Sequence, residues 1–343
     1  MKKLNSNSVL FSILIFSVIG CNKIEKTENK LDYPAALIIN GESNSISIIN
    51  IETDELVENC EFKKGSWPHH IYSNSAKDRL LVSLVGTDLS GGHAGHGTAA
   101  DSYLVTLRAS DFKVLEWLKT EHTAHNAIFM NGDAEVWMPQ MTDAGTVLRL
   151  DAESMKETSS ISVGAGPLEI TKDINETYAF VCNGEGNSVS VLNGENGALV
   201  KTITVGAEPV GAWPGSNNKM YVDCEVSKEV YEIDVTTLTI TDTINLGFTP
   251  AYVAYNSLTT ELWVSDAQNG GIHTYELIGS QWSEISFLGT GANAHAIAFN
   301  SSQTKAYVTN QAAGTVSIIN AETFEIIKTI AVGAKPNGIL ILD

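Results

Sequence analysis

One punctuation mark recurs along most of this chain: a glycine, two variable residues and a proline. It appears as Gly65–Pro68, Gly164–Pro167, Gly206–Pro209, Gly247–Pro250 and Gly333–Pro336. Two further copies carry Ala124 and Ala294 at the proline position, and the seven successive positions are spaced 56, 43, 42, 41, 44 and 42 residues apart. Between the marks lie short β-branched and aromatic runs separated by turn residues, as in Ala306–Asn310, Thr315–Asn320 and Glu325–Ile330. Such runs read as antiparallel strands. A period of 40–45 residues with four strands per unit is the signature of a β-propeller, whose blades bury their faces only by stacking on one another. Six units begin at residues 68, 124, 167, 209, 250 and 294. The seventh is split: Ala36–Asn40, Ser45–Asn50 and Leu56–Phe62 supply three strands, and Gly338–Leu342 supplies the missing innermost one. Joining both ends of the domain in one blade removes the open seam. The expectation is therefore an all-β, seven-bladed propeller over residues 34–343, closed by the C-terminal strand in the first blade.

The run Tyr307-Val308-Thr309-Asn310 resembles the motif that names the YVTN-type seven-bladed propeller family. The likeness extends over roughly residues 34–343. It implies the fold and leaves the function open, because this architecture hosts enzymes, binders and scaffolds alike.

The first twenty residues are of another kind. Lys2 and Lys3 precede an apolar run, Val9–Ile19, broken only by Ser12 and Ser17. That run is too short to span a bilayer comfortably and has the shape of a signal peptide. It ends in Val18-Ile19-Gly20-Cys21, which resembles a lipobox. The resemblance implies cleavage before Cys21 and lipidation of that cysteine. Residues 1–20 then form a lipoprotein signal peptide and residues 21–33 a polar tether. The expected location is a bacterial cell envelope, with the membrane reached through a lipid anchor only.

A formal net charge of −19 excludes nucleic acid as a partner, since phosphate binding needs a basic face. Cys60, Cys182 and Cys224 remain after Cys21. Cys182 and Cys224 occupy adjacent blades but are offset by one position, so no disulfide is expected, and all three read as buried small hydrophobes. There is no Gly-x-Ser-x-Gly elbow, CxxCH, HExxH or Walker loop.

The chemistry lies in the histidines. Aligning the blades on the proline position gives a following slot occupied by His69, His125, Leu168, Val210, Ala251, His295 and Asn337. Three of these seven are His in a chain that has only 8 among 343 residues. The slot opens the innermost strand of each blade, so it lies at the mouth of the central channel. The one large insertion, Thr87–Asp101, falls between the second and third strands of blade two, on the same face, and carries His93 and His96 in a Gly-rich run. His122 sits in the turn entering blade three. Neutral imidazole is the common ligand for zinc and a good one for copper, and three His with an open position suit zinc. The expected metal ligands are His69, His125 and His295, with His93, His96 and His122 as contributors and zinc preferred to copper. Strict alternation points His70 away from His69, into the space between blades. His273, in a third strand of blade six, is expected to be structural. Asp223, Glu169 and Asp266 lie near the same face.

Two further resemblances bear on this pattern. Channel-mouth histidines (His69, His125, His295) plus a mobile His-rich loop (His93, His96) are similar to the propeller-type periplasmic zinc chaperones that feed zinc importers. That likeness implies a metal chaperone or metal-binding lipoprotein whose partners are the ion and a metal transporter or other envelope protein. The His69-His70 pair is similar to the paired His of the multi-copper propeller domain in nitrous oxide reductase, which implies copper as the alternative ion. No cupredoxin domain accompanies the propeller in these 343 residues. The competing expectation is a non-enzymatic interaction scaffold, with Trp67 and Trp213 as exposed contacts near the turns.

Overall fold

A computed structural model describes residues 31–90 and 101–343 of the chain. The signal-peptide, lipidation and most of the tether expectations, together with His93 and His96, fall outside the described residues. Within them the chain is a seven-bladed β-propeller: 28 strands in seven four-stranded antiparallel sheets, with no helix. Leu31 and Tyr33, at the end of the expected tether, already pack on the domain, and the Leu31 N–H donates to the Ser110 carbonyl at 2.8 Å.

The ring closes as the repeat predicts. Blade one orders its strands as Pro336–Leu342, Ala35–Asn40, Ser45–Asn50 and Glu55–Glu61 from the axis outward. Pairing runs Ala35↔Leu342 to Ile38↔Ile339. The innermost strands of blades two to seven are Pro68–Ser73, Ile128–Met130, Pro167–Lys172, Pro209–Gly215, Pro250–Asn256 and Ala294–Phe299.

Burial explains why the strand sequences look as they do. The second strand of each blade is sandwiched by both neighbouring blades, so its residues run apolar without alternation, as in Ala35–Asn40, which is buried throughout. The period of two survives in direction only. Leu37 and Ile39 pack toward blade two with Leu80 and Val82, whereas Ala36 and Ile38 pack toward blade seven with Tyr307 and Ile318. Outermost strands such as Glu157–Ser162 face solvent and are correspondingly polar.

The Gly-x-x-Pro mark has a physical cause. A Cβ on Gly164, Gly291 or Gly333 would fall 2.6–2.7 Å from the side chain of Asn183, Asn310 or Asn40 respectively. Each Asn ends a second strand and donates to two hydroxyls of the third, as Asn183 does to Ser188 and Ser190 at 3.1 and 3.0 Å. In blades one, four and seven the glycine and the motif Asn are thus one device that locks two turns of the blade, whereas Gly65 and Gly206 meet other side chains. Just before the inner strand the chain passes through the left-handed region, at Trp67 (φ 54°), Glu208 (φ 57°), Asn293 (φ 59°) and Lys335 (φ 52°).

The two residues after the proline decide the site. Pro68 pairs with Leu84, but the next pair is Ile71 with Val82, so two residues of the inner strand oppose one of its partner. The same shift occurs in six of the seven blades. A β-bulge breaks alternation and re-aims side chains. The first two residues after the proline therefore need not face opposite ways. Blade three differs: its inner strand starts late, at Ile128, and the amide of Asn126 substitutes for the missing pairing by bonding the Ile170 carbonyl and N–H of blade four at 2.8 and 3.0 Å.

Candidate metal centre

The bulge in blade two brings His69 and His70 together. Their rings are 4.6 Å apart between centroids, and both approach His125 of blade three, at 4.2 Å for His69 and 5.0 Å for His70. One ring nitrogen from each of the three lies within 4.8 Å of those of the other two, and all three side chains are buried. The ligands of a tetrahedral zinc ion at 2.0–2.1 Å are roughly 3.4 Å apart, so only a modest adjustment separates this arrangement from a closed site. His125 is held from behind: Ser83 of blade two donates its hydroxyl to the His125 carbonyl at 2.7 Å.

The carboxylate of Glu169, from blade four, adjoins two members of the group. Its Oε1 lies 2.9 Å from His70 Nε2 and 3.3 Å from His125 Nδ1. The approach to His70 is a close polar contact, not an aligned hydrogen bond, and Oε2 has no hydrogen-bond partner. Glu169 is 2 % exposed, and among the described residues no Lys or Arg pairs with it. An anion buried this way needs compensating positive charge nearby. Two imidazoles supply it only when protonated. A divalent cation supplies it while the imidazoles stay neutral and act as ligands.

A second buried polar pair lies in the neighbouring blade five. Trp213 donates its indole N–H to Asp223 Oδ1 at 2.7 Å and packs at a 32° tilt against Tyr252 with centroids 3.7 Å apart. Gly211 makes room for the indole, since a Cβ there would fall 2.3 Å from it. Burial pushes the Asp223 carboxyl up to about 8, opposed by the Trp213 hydrogen bond and reinforced by the charges of Glu225 and Glu169. Burial also raises the Tyr72 hydroxyl above its ordinary range, with the Glu169 charge adding to it.

Of the expected ligands, His69 and His125 belong to the three-imidazole group. His295 does not, although it shares a cavity at the channel mouth with His69. His122 is half-buried in the turn before blade three, outside the group. His70, expected between blades, is inside it, because the bulge cancels the alternation on which that expectation rests. Glu169 stands in the sequence as one acid among many. The signal for both is the second column after the proline, where His70, Asn126 and Glu169 occupy consecutive blades. His273 is structural as expected: it stacks on Phe248 at 4.2 Å and contacts Glu284 at 2.8 Å. Trp213 is buried, not exposed, and thereby unavailable as a surface contact. Cys60, Cys182 and Cys224 are free and buried.

No family model matches the chain, and no curated protein matches it. Solved structures do, and they are seven-bladed propellers. The periplasmic gluconolactonase PpgL of Pseudomonas aeruginosa aligns with a TM-score of 0.72 at 13 % identity, over 90 % of this chain and 99 % of that one. A 6-phosphogluconolactonase-like protein from Bacteroides uniformis aligns with a TM-score of 0.72 at 12 % identity, over 90 % and 99 %. Apo AztD from Citrobacter koseri aligns with a TM-score of 0.58 at 12 % identity, over 91 % and 98 %. Identities this low establish a shared fold and nothing finer.

Proposed function

We propose that this chain is an envelope protein that binds one transition-metal ion, zinc in preference to copper, at His69, His70 and His125, as a metal chaperone or metal-binding protein. The observation that carries the reading is the convergence of three buried imidazoles, two of which contact a buried carboxylate that no Lys or Arg among the described residues pairs with. Neutral nitrogen donors with one carboxylate form a common zinc donor set. Glu169 either orients His70 and His125 or occupies the fourth position, and in both roles it balances the charge of a divalent ion. Among the described residues the wall of the cavity beside His69 has no Lys or Arg, which disfavours a phosphorylated sugar lactone as substrate. Export, lipidation at Cys21 and a tether to the membrane remain part of the proposal, and the periplasmic location of PpgL is consistent with an envelope setting. A metal transporter or another envelope protein is the expected recipient of the ion.

Elemental analysis of the purified full chain tests the reading. It should find about one zinc per protein, and His70→Ala should abolish it while leaving the thermal transition of a folded propeller. Equal zinc content in His70→Ala and wild type would remove the site.

A further inference from the structure

The three-imidazole centre does not account for the cavity at the channel mouth. That cavity measures about 230 Å³ and draws its wall from blades two, five, six and seven. Among the described residues its ionisable wall residues are His69, His295 and Glu225, joined by Asn293, Gln311 and Ser90, with no Lys or Arg. The amides are committed to one another. Gln311 donates to Asn337 Oδ1 at 3.1 Å and accepts from Asn293 Nδ2 at 3.0 Å, which fixes its orientation. His69 is the single residue that belongs both to this wall and to the buried centre.

We infer that His295 and Glu225 form an outer transit site for a divalent transition-metal ion, which then passes to the buried centre by ligand exchange at His69. The inference rests on the reading that the buried centre holds metal. An imidazole and a carboxylate are both zinc ligands, and the nearest cation, Lys335, which bonds Ser90 at 3.0 Å, is already paired with Asp88, so Glu225 leaves the wall acidic and able to draw cations in. Two protein ligands with water completing the shell hold an ion more weakly than three buried imidazoles do. The ion therefore runs downhill from the mouth to the centre. Passing through His69, it exchanges one donor at a time and is never stripped of its whole shell. The same path run backwards gives an acceptor a way to the ion, which suits a protein that hands its metal on.

Stopped-flow zinc uptake and release, followed with a competing fluorescent chelator on the full chain, tests this. Wild type is compared with the His295→Ala, Glu225→Gln double variant, with His70→Ala, and with the triple combination. The double variant should keep wild-type equilibrium affinity while uptake and release both slow by about tenfold or more, the lower end of what a charged cleft adds to capture. His70→Ala should lose tight binding and keep a weak zinc site that the triple variant lacks. Unchanged rates in the double variant would overturn the transit site. So would lost equilibrium affinity, which would make His295 a ligand of the tight site. Wild-type affinity in His70→Ala would instead refute the buried centre, whatever the double variant does.

Discussion

Replacing Asp223 with Asn tests the electrostatics of the channel apart from any metal. Asp223 is fully buried, its Oδ1 accepts from the Trp213 indole, and its Oδ2 has no partner. Burial, with help from the Glu225 and Glu169 charges, holds its carboxyl at about 8 against an ordinary value of 3.8. The folded state therefore keeps a proton that the unfolded chain releases above pH 4. A group raised in this way contributes stability that is complete below pH 4 and is lost progressively as pH rises toward 8. A gap of about four powers of ten bounds the loss at roughly 5 kcal/mol, and relaxation around a newly charged group reduces it to a few. Asn keeps the shape and the acceptor for Trp213 and cannot ionise. Urea denaturation of metal-free protein from pH 4.5 to 9 should give nearly equal stabilities for the two proteins at the acid end. At the alkaline end Asp223→Asn should be more stable by about 2 kcal/mol or more. Parallel stability curves across that range would refute the reasoning, because they would mean that Asp223 ionises as freely in the fold as outside it.

Packing and export each give a further expected outcome. A Cβ on Gly338 would fall 2.5 Å from the His69 carbonyl, at the seam where blade one meets blade two; Gly338→Val should cost on the order of 3 kcal/mol and weaken zinc binding, and wild-type stability and affinity by denaturation and titration would contradict the packing account. Cys21→Ser should release the protein from the membrane fraction on cell fractionation, whereas continued membrane retention would identify residues 9–20 as an uncleaved anchor.

The repeat makes the architecture legible because several blades use the same few contacts. The Gly of the mark and the Asn that ends the second strand touch in three blades, so a spacing in the sequence reports a packing constraint directly. The closure is legible for the same reason, since Gly338–Leu342 has no blade unless it joins the first. The site is half legible. His69 and His125 stand out in the column after the proline, yet the bulge after Pro68 stays hidden, because nothing in Pro68-His69-His70-Ile71 distinguishes a bulged strand from a regular one. Strict alternation consequently discards His70, and the column after the proline puts His295 in its place. Glu169 is obscured by the surplus of acids in a chain with 40 Asp and Glu, and only the three-dimensional meeting of blades two, three and four singles it out. Trp213 reads as a surface contact near a turn; the absent side chain of Gly211 lets its indole fold inward onto Asp223.

If the proposed function is right, the ion sits where blades two, three and four converge. Anomalous diffraction at the zinc absorption edge, on crystals of the full chain grown with one equivalent of zinc, addresses it most directly. A single strong peak among the imidazoles of His69, His70 and His125, with nitrogen–zinc distances of about 2.0–2.1 Å, is the predicted result. A map with its only peak elsewhere, or none between those three rings, would contradict it.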